Sequence, residues 1–161
     1  MIILQSQDFD SAALTAALRA RVDSAAGAIA TFTGYVRDYS SDTPTQSLTL
    51  EHYPGMCENI LAEIVTEAHA RWRILDSVIA HRFGTLEHSA QIVFVAAASA
   101  HRSDAFAACE YIMDALKTRA PFWKRETLAD GQSFWVEARE TDQARADAWQ
   151  TIDPIAPKER A

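Results

Sequence analysis

Gln91-Ile-Val-Phe-Val-Ala-Ala-Ala-Ser99 sets the architecture of this chain. It is an almost unbroken apolar run of strand length, so it reads as a strand lying centrally in a sheet and covered on both faces. The period then changes. From Ser103 or Asp104 onward, Phe106, Cys109, Met113 and Leu116 recur at helical spacing and define the expected buried face of a helix. A central strand leading into such a helix implies a sheet with helices packed on it.

On the N-terminal side, residues 76–83 read as a second strand. Pro54-Gly55 breaks the chain ahead of a helix through residue 72, with Met56, Ile60, Ile64, Ala68 and Trp72, joined by Leu61 and Val65, as its stripe. Residues 46–53 alternate as a strand, with Leu48 and Leu50 on one face and Glu51 and Tyr53 on the other. In the β-rich segment 27–36, Ile29, Thr31, Thr33 and Tyr35 face one way and Ala30, Phe32 and Val36 the other. Residues 11–22 predict a helix capped by Asp8 or Asp10, preceded by a short strand at 2–4. The polar segment 38–45, with Pro44, predicts a mobile loop. Residues 122–128 and 133–138 form an expected hairpin, because Ala129-Asp130-Gly131 carries a strong turn signal. The order β-α-β-β-α-β-β-α-β-β is an α+β pattern, with helices packed on a mainly antiparallel sheet. One domain is expected over residues 1–140. The tail 141–161, with Pro154 and Pro157, is expected to start helical and then fray.

Bulk properties narrow the function. The 161 residues are 48% hydrophobic and 23% charged, ordinary for a globular domain. A formal net charge of -7 argues against a nucleic-acid binder. No run of eighteen apolar residues predicts a membrane span, and the first residues lack the pattern of a signal peptide. Two cysteines, Cys57 and Cys109, stand far apart without Cys-x-x-Cys spacing, as in a reducing compartment. A cytoplasmic protein is the expectation.

Phosphate-loop, dinucleotide-binding, zinc-protease and nucleophile-elbow signatures are absent, and the five histidines show no metal-site pairing. The chemistry concentrates in Lys117-Thr-Arg-Ala-Pro-Phe-Trp-Lys-Arg-Glu126, four cations around Pro121, Phe122 and Trp123 in an acidic chain. The plain reading is a solvated loop with a proline turn. The sharper one is a site that holds an anion or stabilises developing charge. A helix end and a strand start joined by a proline turn can bring Lys117 and Lys124 to one pocket. There, like-charge repulsion lowers one amine's pKa, leaving a base beside an acid. Pro121, Phe122 and Trp123 are expected to shape and desolvate that pocket. Lys117 also suits the simpler role of complementing the helix C-terminal dipole. His101-Arg102, between the central strand and a helix N-terminus, is either an anion site or a cap. His81-Arg82 reads as structural, and so do Cys57 and Cys109.

Several strings together resemble the large, catalytic subunit of molybdopterin synthase. They are Phe32-Thr-Gly-Tyr-Val-Arg37, Leu50-Glu-His-Tyr-Pro-Gly-Met56, His81-Arg-Phe-Gly84, His101-Arg-Ser-Asp-Ala-Phe106, the 117–126 segment and Trp135-Val-Glu-Ala-Arg139. They follow the family's order and spacing from about residue 27 to 140. The resemblance implies a hammerhead-type α+β fold and a homodimer. Each protomer would bind a small ubiquitin-like sulfur-carrier subunit ending in a Gly-Gly thiocarboxylate, giving a heterotetramer. The implied reaction converts cyclic pyranopterin monophosphate (precursor Z) to molybdopterin, with no metal or organic cofactor. By the same resemblance Lys117 and Lys124 are the catalytic lysines. Arg37, His101, Arg102 and Arg139 are the anion- and substrate-binding positions, and Phe32 and Met113 line the pocket, with some of these groups supplied by a second protomer. Glu87-His-Ser-Ala90 departs from the family, which often has a glycine-containing turn there. The competing readings are a non-catalytic paralogue that binds a ubiquitin-like tail or a phosphorylated pterin, and an RNA-binding domain that stacks bases on Phe122 and Trp123. The acidic balance counts against the second.

Overall fold

The computed structural model describes residues 1–38, 43–137 and 140–151. Strand β6 (Gln91–Ser99) lies inside a four-stranded sheet, antiparallel to β4 (Ile74–Arg82) on one side and β2 (Ala28–Tyr35) on the other. Strand β1 (Ile2–Gln5) extends the sheet parallel to β4, giving the order β1-β4-β6-β2. The apolar run is explained by what covers it. Phe94, Ala96 and Ala98 share a core with Leu18 and Val22 of helix α1 (Ser11–Val22). Val93, Val95 and Ala97 face the opposite core, with Leu61 and Ile64 of α2 (Met56–Arg71) and Ala108 and Ile112 of α3 (Arg102–Arg119). Leu18, Ile79 and Phe94 are buried almost completely, each worth roughly 1.5–3 kcal/mol in removed apolar surface. Asp10 caps α1, accepting from the backbone N–H groups of Ala12 and Ala13 at 2.9 and 3.0 Å, a contribution of about 1 kcal/mol.

The second sheet has the order β5-β3-β7-β8, from β5 (Gly84–Glu87), β3 (Thr45–His52), β7 (Phe122–Leu128) and β8 (Ser133–Trp135), all antiparallel. Leu48, Leu50, Leu86 and Val36 form its core. At the expected hairpin, Gly131 takes φ 86° and the Leu128 N–H donates to the Gln132 carbonyl at 2.8 Å. Strand β8 is three residues long, shorter than the 133–138 expectation. Strand β5 had no counterpart in the sequence reading. It offers one buried residue, Leu86, and exists by pairing with β3 rather than by its own pattern. The turn after it keeps a left-handed residue without glycine, since Ser89 itself takes φ 65°.

Phe106 is a correction. It is 65% exposed, because the face of α3 that meets the first sheet is built on Ala105, Ala108 and Ile112, roughly 100–160° around the helix from it. After residue 140 the chain forms α4 (Glu140–Thr151). Its Trp149 packs edge-on against Trp72 and Tyr111, and the indole N–H donates to Asp114 Oδ2 at 2.8 Å. Residues 39–42 of the expected loop and 152–161 of the expected frayed end lie outside the described residues. Among the described residues, no helix is long and apolar enough to cross a membrane.

Candidate functional site

Helix α3 ends where its path is redirected. Ala120 leaves helical geometry at ψ 125°, its N–H still donating to the Leu116 carbonyl, and Pro121 then leads the chain into β7. The turn carries Lys117, on the last turn of α3, and Lys124, on β7, to one cavity of about 450 Å³. The cavity is also lined by Phe32, Arg37 and Met113. Five of the eight anticipated residues therefore come together within the single chain. Strand β2 supplies Phe32 and α3 supplies Met113. Arg37 lies just past the end of β2, its Nη1 donating to the Asp38 carbonyl at 3.1 Å. The β2–β6 register shifts between Gly34 and Tyr35, a bulge of the kind that re-aims side chains beside a site. A Cβ at Gly34 would lie 2.9 Å from Val93 Cγ1 and 3.2 Å from Phe32 Cε1, so glycine lets the Phe32 ring lie along the strand.

His101 and Arg102 do not join this cavity. They stand at the opposite end of α3 from Lys117, fifteen residues and about 22 Å along the helix axis. His101 is the N-cap residue but makes no capping hydrogen bond through its side chain. Arg139 lies outside the described residues.

The basic decapeptide is divided rather than concentrated. Arg119 turns to α2, where its two terminal nitrogens hold Glu67 at 2.6 and 2.9 Å. This guanidinium, with the Tyr111 hydroxyl, holds the Glu67 carboxyl below its usual range. Arg125 lies over the Trp135 ring at 5.9 Å. Trp123, expected in the pocket, is 61% exposed and meets Trp135 edge-on at 6.2 Å. Strand alternation already separated it from Lys124, and that signal outweighs its nearness in sequence.

Three lining groups outside the anticipated set bear directly on the lysines. Glu137 and Asp142 bring carboxylates to the cavity, and Asp142 Oδ1 lies 3.1 Å from Lys117 Nζ. Lys117 thus has a carboxylate neighbour that the reading of paired lysines lacked. The third is His81, read from the sequence as structural. Its ring stacks on Phe122 with centroids 3.9 Å apart and planes 7° from parallel. Burial pushes its pKa down to about 4, with the charges of Lys124 and His52 adding to the effect, so the imidazole is neutral at pH 7.

Other candidates are weaker. Cys57 and Cys109 are buried. Burial pushes the Cys109 thiol up to about 11 and raises that of Cys57 as well, which disfavours the thiolate a nucleophile needs. A cavity of about 530 Å³ lies between α2, α3 and α4. Its arginines are already engaged, Arg119 by Glu67 and Arg71 by the Trp149 carbonyl. The smaller cavity, with two lysines and an arginine beside apolar walls, is the better candidate for chemistry on an anion.

Comparisons with known proteins identify the family. The family model described as MoaE protein matches residues 4–119. The molybdopterin synthase catalytic subunit of Ralstonia nicotianae is 50% identical over 148 residues, covering 92% of this chain and 83% of that protein. A solved structure, the molybdopterin biosynthesis MoaE protein of Burkholderia ambifaria, superposes with a TM-score of 0.77 at 50% identity, covering 92% of this chain and 97% of that one. A protein–protein complex of subunits 1 and 2 of the molybdopterin-converting factor from Helicobacter pylori shares the fold at 19% identity, with a TM-score of 0.71 and coverage of 86% and 91%. The chain belongs to the MoaE family, enzymes of molybdenum cofactor biosynthesis whose curated relatives at about 50% identity are molybdopterin synthase catalytic subunits.

Proposed function

We propose that this subunit converts precursor Z to molybdopterin with sulfur from the thiocarboxylated Gly-Gly terminus of a small ubiquitin-like carrier. Lys117 and Lys124 are its reacting groups. The observation that carries the reading is the meeting of those lysines in one cavity with Arg37, Phe32 and Met113. The carrier's sulfur bonds to the pterin side chain, and water then cleaves the acyl–sulfur bond and leaves the carrier as a carboxylate; one lysine stabilises the charge that develops at the acyl group and the other takes up the proton that the attacking water releases. Guanidinium groups at Arg37 and Arg139 suit the oxygens of a cyclic phosphate. The apolar walls at Phe32 and Met113 suit the pterin ring and exclude water.

The working assembly is a homodimer with one carrier on each protomer, located in the cytoplasm. His101 and Arg102 act on the site of the other protomer, a role supported by their distance from Lys117 along α3. Residues 1–140 form the catalytic domain, and residues 141–161 are an appendage whose helical part carries Asp142. The complex of subunits 1 and 2 of the Helicobacter pylori molybdopterin-converting factor, which shares this fold, supports a small partner subunit.

The test is reconstitution with thiocarboxylated carrier and precursor Z, read as molybdopterin formed. The wild-type chain is expected to be active and Lys117→Ala to lose activity by about two orders of magnitude or more. Full activity in that variant would remove Lys117 from the chemistry. Binding of carrier and pterin without product in the wild type would instead favour a non-catalytic paralogue.

A further inference from the structure

His81 has no part in the chemistry assigned so far, yet it lines the same cavity as Lys117 and Lys124. Its placement is constrained on two sides. The ring lies flat on Phe122, which β7 holds two residues from Lys124 on the same face. Its Nδ1 is 2.8 Å from the Arg82 carbonyl oxygen. A carbonyl only accepts, so Nδ1 carries the proton and Nε2 keeps its lone pair. With Nδ1 occupied, Nε2 is the ring's remaining polar atom.

We propose that His81 is a positioning residue for the sulfur-transfer reaction: its Nε2 is the acceptor to which the Lys124 ammonium turns when the cavity is occupied, and it fixes where that amine points. The inference rests on the reading of Lys124 as a reacting group. A second sheet supports the geometry, since His52 of β3 stacks on Phe83 at 4.2 Å and lies 6.4 Å from Phe122. The resulting column of rings, Phe83, His52, Phe122 and His81, ties the end of β4 to β3 and β7.

The electrostatic surroundings fit an acceptor. Lys124 of β7 and His52 of β3 disfavour an imidazolium, and burial disfavours it further. Arg82 adjoins the ring on β4, and Lys117 of α3 and Arg37 after β2 line the same cavity, with Glu137 and Asp142 as its carboxylates. A charged imidazole would repel the ammonium that it has to orient. The neutral ring can accept a proton in a hydrogen bond without competing for it, because its basicity is far below that of a lysine amine.

The experiment uses the reconstituted enzyme with thiocarboxylated carrier, and compares His81→Phe, His81→Gln, Lys124→Ala and the wild type. His81→Phe keeps a ring against Phe122 but removes the acceptor. It is expected to lower kcat about 10- to 100-fold with KM little changed. The lysine-dependent limb of its pH–rate profile should move to lower pH, because an ammonium without its acceptor loses its proton more easily. His81→Gln restores an acceptor and is expected to recover most of kcat and the position of the limb. Retained kcat in His81→Phe, or a loss confined to KM, overturns the proposal. So does an unmoved pH limb.

If His81→Phe fails to fold, the nitrogen NMR shifts of His81 decide the matter. Lys124→Ala should move the Nε2 resonance toward that of a free acceptor, and an unchanged resonance overturns the proposal. The two readings fail separately: an active Lys124→Ala defeats the catalytic assignment, whereas an inactive Lys124→Ala with an undisturbed His81→Phe defeats this inference alone.

Discussion

Lys117 and Asp142 meet across the ends of two helices, with Nζ of the first 3.1 Å from Oδ1 of the second. The lysine side chain is 45% exposed and the aspartate 22%. Such a pair is screened by solvent and contributes at most about 1 kcal/mol to stability. Its consequence lies in the site, where a carboxylate from α4 occupies an ammonium that the proposed reaction needs free.

Asp142→Asn should therefore leave the fold nearly untouched, shifting the urea-unfolding free energy by less than about 1 kcal/mol. Activity in the reconstituted assay is expected to hold or rise. The carrier concentration needed for half-maximal rate should fall, because the incoming carboxylate-like tail no longer competes with Asp142. A tenfold loss of activity would instead make Asp142 a working part of the site.

Acid should destabilise the protein in two separable windows. His81 has an unfolded pKa near 6.5 and a folded value of about 4, so the unfolded chain takes up the extra proton first. Stability is complete above pH 6.5 and declines as pH falls to about 4, by up to about 3 kcal/mol from this residue. His69, also lowered by desolvation, acts in the same direction. Glu67 and Asp76 are carboxyls held below their usual range, so their contribution is lost at still lower pH. Urea unfolding at pH 7 and pH 4.5 should show the first decline in the wild type and a smaller one in His81→Phe.

The lysine pair was legible because its placement is local. A helix end, a proline turn and a strand start are read from adjacent residues, and only six residues separate Lys117 from Lys124. The central position of β6 was legible for a related reason, since two covered faces leave a continuous apolar run. What the sequence did not expose depends on contacts between distant segments. His81 meets Phe122 only because β4 and β7, in different sheets, end side by side. Asp142 reaches Lys117 only because Trp149 anchors α4 against Trp72 and Tyr111. Strand β5 owes its existence to β3. Trp123 differs, because alternation along β7 already set it opposite Lys124.

Gly34→Ala should couple stability to substrate binding. The added Cβ would meet Val93 Cγ1 at 2.9 Å and the Phe32 ring at 3.2 Å, so one of them must move. Overpacking of this kind costs about 1–3 kcal/mol. Because Phe32 lines the cavity, its displacement should raise the KM for the pterin more than it lowers kcat. Thermal unfolding and steady-state kinetics check the two halves, and an unchanged melting temperature would show that β2 relaxes without strain.

The separation of His101 and Arg102 from Lys117 predicts complementation between inactive protomers. A single copy cannot bring residues about 22 Å apart along α3 to one small substrate. A closed two-fold dimer can, if the N-terminal end of α3 in one copy reaches the cavity of the other. Lys117→Ala and the double variant His101→Ala/Arg102→Ala should each be inactive as homodimers. After mixing, dissociation and reassembly, half the dimers are hybrids. Each hybrid holds one site with both defects and one with neither, so activity should return to about a quarter of the wild-type value. If reassembled mixtures stay as inactive as their parents, His101 and Arg102 do not act across the dimer.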